Sequence, residues 1–509
     1  MLAKVKSFGL AGLNGYEVDV EADMHAGLPG METVGLPDAS IKESKERVRS
    51  AIKNSGFLFT PQRITVNLAP ADVKKEGPLY DFPIAMALLA ATGQIQVTRL
   101  ADTVLVGELS LDGGLRRVRG VLPVILAAKR AGYKNLMIPW ENRNETVFVD
   151  GVDVYAFRTL GEAVAHVRGE QIVAPVPKAD AARQAAGVIY GEDLQYVKGQ
   201  YAAKRALEIA AAGGHNMLMI GPPGGGKTML ARCLPSILPE MTLDEALETT
   251  KIHSVAGCLD DTGLVMRRPF RTPHHTASRI ALTGGGSAAR PGEISLAHNG
   301  VLFMDELPEY PRSVLEILRQ PLEDGKIAVS RAQRSVSYPA HFMLVASMNP
   351  CPCGNYGSSH GECSCTPAMI EKYHARLSGP LMDRIDLHIE VDNVTYDDLA
   401  STTTAESSAA VKARVDEARR LQTERYRGTD VHCNAAMTSQ MLHTYCALDT
   451  EAQAMLKSAF DGLGLSARAY TRILKVARTV ADLAHSEAVT AEHIAEAVQY
   501  RSLDRRYWK

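Results

Sequence analysis

The sequence predicts an α/β multidomain chain that ends in an all-helical segment. Three observations carry that prediction. Residues 1–170 alternate short apolar strand patterns with amphipathic helices, residues 216–234 read strand, glycine-rich loop, helix, and from Asn434 onward the pattern is helical. Strands alternating with helices favour a sheet with helices packed on it. A chain of 509 residues has room for about three domains and their cores.

In the first region, Val18–Val20, Ile64–Leu68 and Leu136–Ile138 are strand segments. Residues 37–55 form an amphipathic helix with Asp38 as its cap and Gly56 closing it, and Ile84–Ala91 and Val118–Ala131 are further helices. Residues 171–190, with Pro175, Pro177 and an alanine-rich run, make a linker. Residues 191–391 form a nucleotide-binding core. Residues 392–509 hold a Ser/Thr/Ala-rich connector, a charged helix over Val411–Arg425, and the helical C-terminal part.

The most informative stretch is Gly221-Pro222-Pro223-Gly224-Gly225-Gly226-Lys227-Thr228, which matches the phosphate-binding loop G-x-x-x-x-G-K-[ST] at every fixed position. The apolar run 216–220 reads as the strand before it and Met229–Leu234 as the helix after it. Glycines let backbone N–H groups close around a polyphosphate, Lys227 reaches the β and γ phosphates, and Thr228 offers a hydroxyl to Mg²⁺. Downstream, the buried-strand run Val301–Met304 ends in Asp305-Glu306. An ATPase needs one carboxylate there for the Mg²⁺ shell and a second to orient or deprotonate the attacking water. A third apolar run, Leu344–Ser347, ends at Met348-Asn349, where the amide of Asn349 holds the water from the other side. ATP and Mg²⁺ are the expected cofactors.

Cys351, Cys353, Cys363 and Cys365 form C-x-C-x₉-C-x-C, four thiols in one loop and enough for a closed structural Zn²⁺ site, with His360 a possible substitute ligand. Free thiols and transient disulfides are the competing readings. Cys233, Cys258, Cys433 and Cys446 are isolated and read as packing residues.

Two segments are expected to be hairpins carrying candidate DNA contacts. One is Gly257–Arg271, turning at Gly263, with Arg267, Arg268 and Arg271 along one arm; the other is Lys326–Tyr338, with Lys326 at its base and Arg331 and Arg334 near the tip. The plain alternative for each is a solvated charged face. Formal net charge is −2, so no bulk positive field advertises nucleic acid, and any DNA contact has to be local. Aromatic residues are 6% of the chain, too few to suggest a base-stacking platform. No secretory signal and no run of about 18 apolar residues is present, and the cysteine usage suits reduced thiols. The expected location is cytoplasmic.

Taken together, the phosphate loop, Met304-Asp305-Glu306 and Ser347-Met348-Asn349-Pro350 resemble the AAA+ superfamily. Arg271-Thr272-Pro273-His274-His275, Gly284-Gly285-Gly286, Asn349–Gly354 and Ser378–Asp386 narrow the resemblance to its magnesium-chelatase-like branch and the ComM/YifB family. The resemblance spans essentially the whole chain. It implies a hexameric DNA helicase that promotes branch migration in natural transformation, acting on branched or single-stranded DNA. It implies that Arg384 is an arginine finger reaching a neighbour's γ-phosphate and that Arg468 is the sensor-2 arginine of a helical lid. It also implies that Val197-Lys198-Gly199-Gln200 packs against adenine, and that hairpins at the two places above are typical. Lys75–Pro78 and 107–132 resemble the Lon protease domain, giving a Lon-protease-like module. Where Lon carries its catalytic Ser and Lys, this chain has Leu79 and Leu122, which supply neither nucleophile nor titrating amine. Two other functions compete: a magnesium-chelatase-type ATPase that remodels a protein partner, and a non-motor scaffold switched by nucleotide occupancy.

Overall fold

The computed structural model describes residues 1–179, 191–260, 263–286, 289–330, 335–357, 361–394, 396–400, 405–503 and 507. Arg331, Arg334, His360 and most of the expected linker therefore lie outside the described residues.

The N-terminal region builds a seven-stranded sheet from β1 (Leu2–Ala11), β2 (Asn14–His25), β3 (Gly30–Val34), β4 (Arg63–Ala69), β5 (Thr103–Leu105), β6 (Asn135–Pro139) and β7 (Asp153–Phe157), in the order β3-β4-β2-β1-β5-β6-β7. β1, β2 and β4 pair antiparallel; the remaining pairs are parallel. Helices α1 (Ala39–Asn54), α2 (Asp81–Ala91), α3 (Val121–Arg130) and α4 (Leu160–Arg168) accompany it. The expected cap of α1 forms: Asp38 Oδ1 accepts from the Ile41 N–H at 2.9 Å. Leu79 and Leu122 belong to one apolar cluster with Val104, Val121 and Ile138, Leu122 fully buried. The positions expected to replace a nucleophile and its base are filled by hydrocarbon packing.

The central region is a parallel five-stranded sheet. Its strands are β8 (Met217–Ile220), β9 (Phe270–Arg271), β10 (Val301–Met304), β13 (Met343–Met348) and β14 (Leu387–Glu390), ordered β9-β10-β13-β8-β14. Between β10 and β13 the chain forms an antiparallel hairpin of β11 (Lys326–Ser330) and β12 (Ser335–Pro339). Helices α5 (Tyr201–Gly213), α6 (Lys227–Ile237), α7 (Leu243–Ala256) and α8 (Arg319–Asp324) complete this region. Two of its strands, β8 and β10, are apolar and buried at every position because both faces are covered. Met217, Met219, Val301, Phe303 and Val345 face one core; Leu218, Ile220, Leu302, Met304 and Leu344 face the other.

The C-terminal region is helical, with α9 (Ser408–Arg425), α10 (Ser439–Tyr445), α11 (Thr450–Leu463), α12 (Ala467–Leu483) and α13 (Ala491–Gln499). It shares one continuous core with the central sheet. Val411 and Val415 of α9 and Ile473, Val476 and Val480 of α12 cluster with Leu207 and Ile209 of α5 and with the first sheet face. The predicted α/β multidomain class, with a parallel-sheet core and a helical C-terminal region, is what the chain adopts. No helix among the described residues is long and apolar enough to cross a membrane.

Contacts at α7 and at the β11–β12 hairpin are among those that clasp the N-terminal region to the central one. At α7, the Gly120 N–H donates to the Ser254 carbonyl at 3.1 Å, and the Ser254 hydroxyl donates to buried Glu145 at 2.6 Å. Burial holds the Glu145 carboxyl above the usual range, against the hydrogen bonds from Ser254 and Asn142. At the β11–β12 hairpin, the β1–β2 turn lies so close to Val336 that a Cβ on Gly12 would sit 2.3 Å from a Val336 methyl. Leu13 packs into the same core as Tyr338.

Candidate nucleotide-binding site

The expected phosphate loop leads out of β8 and into α6. Gly224 and Gly226 take φ of +81° and +83°, a left-handed turn in which side chains are strained. The loop edges a cleft of about 370 Å³ whose lining includes Lys227, Thr228, Asp305, Glu306, Ser347 and Asn349. Residues from three adjacent parallel strand ends thus meet at one place, the C-terminal edge where α/β sheets bind ligands.

Lys227 is 8% exposed, and its ammonium donates to the carbonyls of Gly221 and Pro222 at 2.7 and 2.8 Å and to Asn349 Oδ1 at 3.3 Å. Burial lowers its pKa, and the carboxylates of Asp305 and Glu306 oppose that shift. The Thr228 hydroxyl donates to Asp305 Oδ2 at 2.9 Å. The other Asp305 oxygen accepts from the Ser347 hydroxyl, and the Glu306 N–H points at Ser347 Oγ from 3.3 Å. A hydroxyl and a carboxylate converging beside a phosphate loop are a donor set that fits Mg²⁺, which keeps several waters and takes few protein ligands. Glu306 adopts φ +52° at the strand end, and its side chain is 56% exposed, open to the cleft.

The contacts of three residues escaped the sequence reading. Ser347 orients Asp305; the sequence placed it in an apolar run and in the Ser347-Met348-Asn349-Pro350 motif, without a partner. His275 lies with Nδ1 3.6 Å from Glu306 Oε2, on a segment pinned where the Tyr310 hydroxyl donates to the Pro273 carbonyl. The His-His pair was legible, but its approach to Glu306 depends on β9 lying beside β10. Gln200 donates to the Gly225 carbonyl at 3.2 Å, tying the segment Val197–Gln200 to the phosphate loop.

Arg384 and Arg468 do not line the cleft. Arg384 is 5% exposed, its guanidinium bound to Glu323 and to the Pro380 carbonyl. Arg468 is exposed at the start of α12, 3.7 Å from Asp383.

The four cysteines do come together. Sγ of Cys351 lies 3.3 Å from that of Cys353 and 3.7 Å from that of Cys363, and all four ligand atoms lie within 4.8 Å of one another. The edge of a tetrahedron with Zn–S bonds of about 2.3 Å is about 3.8 Å, so this donor set fits a zinc ion. The cluster abuts the nucleotide site: Gly354 passes so near Pro223 that a Cβ there would lie 2.5 Å from its ring.

Among the described residues of 257–271 the first expected hairpin is not seen: Gly257 caps α7, and the only strand among them is Phe270–Arg271, parallel to β10. Leu264 is buried with Phe148, Met241 and Ala246, which pulls the segment onto the N-terminal region. Arg268 donates to the Pro239 and Asn299 carbonyls and pairs with Glu245 at 3.1 Å; Arg271 holds Glu293 in a two-point pair at 2.7 and 2.8 Å. Both guanidiniums are engaged in internal ion pairs. Arg267 is exposed. The second expected hairpin is present, with Ile327 and Val329 buried and Lys326 exposed at its base.

Comparison with known proteins agrees with this geometry. The magnesium chelatase subunit ChlI family model matches residues 193–399; a second ChlI model matches 20–142, and the ChlI C-terminal model matches 405–501. The chain is 45% identical to competence protein ComM of Haemophilus influenzae over 99% of this chain and 98% of that protein. The chain belongs to the ComM/YifB family. Another member, YifB of Escherichia coli K12, is 44% identical over 99% of this chain and 98% of its own. The N-terminal region is also similar to Lon protease 2 of Bacillus subtilis 168, 28% identical over 27% of this chain and 26% of that enzyme. Membership makes the chain a magnesium-chelatase-like ATPase by family, with nucleotide and Mg²⁺ as the family's ligands.

Proposed function

We propose that this ComM/YifB-family chain is an ATP-driven ring motor on DNA: a cytoplasmic, hexameric branch-migration helicase acting in natural transformation and homologous recombination. The observation that carries the reading is the convergence of Lys227, Thr228, Asp305, Glu306 and Asn349 on one cleft. A binding switch needs only the phosphate loop; a positioned water-activating carboxylate beside it implies turnover. On this reading residues 1–170 are a Lon-protease-like module without the Ser/Lys pair. Residues 191–391 are the ATPase core, and 392–509 the connector and lid, joined to the rest through the linker 171–190.

The backbone of Gly221–Gly226 cradles the phosphates, Lys227 neutralises the β and γ groups, and Thr228 and Asp305 hold Mg²⁺. The ion supplies charge neutralisation at the phosphates when bound. Glu306 takes the proton of the attacking water, with Asn349 orienting that water. Arg384 acts as the finger toward the adjoining subunit and Arg468 as the lid's sensor. Lys326, Arg267, Arg331 and Arg334 are the foremost candidate DNA contacts, ahead of Arg268 and Arg271, which hold internal ion pairs. Cys351, Cys353, Cys363 and Cys365 hold a structural zinc that stiffens the loop leaving β13; four thiolates leave no open position for catalysis. The name of the Haemophilus relative, competence protein ComM, supports the DNA reading.

The test is ATP hydrolysis with and without a mobile four-way junction, with strand exchange followed in the same reaction. ATP-dependent product that disappears in Glu306→Gln is the expected result. Hydrolysis indifferent to DNA, with no exchange, would favour the second reading, a ChlI-type ATPase that remodels a protein partner, which the ChlI family matches support.

A further inference from the structure

Arg384 has surroundings that least suit its assigned work. A finger needs an exposed tip, yet this side chain is only 6% exposed. One terminal nitrogen donates to Glu323, the other to the Pro380 carbonyl, and Nε is buried without a hydrogen-bond partner among the described residues. The group is enclosed but incompletely satisfied, an arrangement that marks a side chain with somewhere else to go.

The backbone around it is fixed. The Arg384 carbonyl accepts from Asn216 Nδ2 at 3.0 Å, and Asn216 Oδ1 accepts from the Leu344 N–H at 2.8 Å, stapling this segment to β8 and β13. Buried Asp386 accepts from the Asn216 N–H at 2.9 Å and pairs with Arg472 of α12 at 2.8 Å; on the other side Asp383 faces Arg468. With both flanks held, only the side-chain torsions of Arg384 are left to move it.

Its partner, in contrast, sits on a part of the molecule that can be pulled. Glu323 is half exposed and belongs to α8, whose C-cap Gly325 turns the chain directly into β11. That corner is tightly packed: a Cβ on Gly325 would lie 1.9 Å from the His341 ring. Glu323 is thus two residues from the corner that joins this helix to the hairpin.

We propose that Glu323 is a positioning residue that restrains Arg384 inside its own subunit, and that loading the β11–β12 hairpin withdraws it. The freed guanidinium then swings toward the nucleotide of the adjoining copy. DNA engaged by one subunit would thus switch on hydrolysis next door. The inference rests on the reading of Arg384 as a finger.

The test uses full-length protein carrying Glu323→Gln, Arg384→Ala, or both, assayed for ATP hydrolysis with and without branched DNA, and for nucleotide affinity. Glu323→Gln should raise the DNA-free rate about fivefold, equivalent to about 1 kcal/mol at about 1.36 kcal/mol per tenfold, and shrink the stimulation by DNA in proportion. Nucleotide affinity should not move, and the double variant should be as inactive as Arg384→Ala. Glu323→Ala, read in the same way, covers the case where the glutamine variant misfolds. A DNA-free rate unchanged or lowered by both Glu323 substitutions, with Arg384→Ala inactive, overturns the restraint and leaves the finger standing. Normal hydrolysis by Arg384→Ala overturns the finger reading itself.

Discussion

Replacing Lys227 with methionine removes a charge while keeping an apolar stem in the same buried channel. All three ammonium protons have acceptors in the nucleotide-free protein: two carbonyls at 2.7 and 2.8 Å and the longer contact to Asn349 at 3.3 Å. Reaching a phosphate exchanges the longest of these. An ammonium about 4 Å from one phosphate charge contributes about 4 kcal/mol at an effective dielectric near 20. Releasing the Asn349 contact takes back about 1 kcal/mol. The net of about 3 kcal/mol corresponds to a loss of roughly 150-fold in affinity. Equilibrium titration with a fluorescent ATP analogue at constant Mg²⁺ measures this directly. Melting in parallel should show a modest fall, because the Gly221 and Pro222 carbonyls lose their donor. A Kd within about threefold of wild type, less than about 1 kcal/mol, would refute the view that this cleft binds nucleotide through Lys227.

Arg268→Ala should destabilise the protein by about 1–3 kcal/mol, the cost of leaving the Pro239 and Asn299 carbonyls unpaired, while the salt dependence of DNA binding stays as in wild type. A shallower salt slope would return Arg268 to the DNA-contact list. Cys363→Ser should lower zinc content from about one equivalent per chain, measured by elemental analysis of protein purified without added metal, and slow hydrolysis through the loop that approaches Pro223. Metal-free wild-type protein with full activity would remove zinc from the account. Gly12→Val places a branched side chain against Val336 and should loosen the hairpin from the N-terminal region. DNA-stimulated hydrolysis is expected to fall with the DNA-free rate retained; equal loss of both would instead indicate general misfolding.

Local chemistry made the nucleotide site legible. The phosphate loop is contiguous, and its strand and helix follow from neighbouring residues; Val301–Met304 is the strand the sequence predicts, residue for residue. The hairpin over β11 and β12 was readable because buried Ile327 and Val329 alternate with exposed Lys326 and Ala328. The segment 257–271 carries a similar turn glycine and similar arginines without that alternation, and its described residues form no hairpin.

What the sequence alone determined, then, was each element whose pattern lies within one strand or one turn, together with the residue types that meet at the phosphate loop. The tertiary structure decided which charges are spent internally. Glu245 is 23 residues from Arg268, and Glu323 is 61 from Arg384. Those pairings depend on how α7 and α8 pack, because an ion pair is a matter of distance in space, and chain separation carries no record of it.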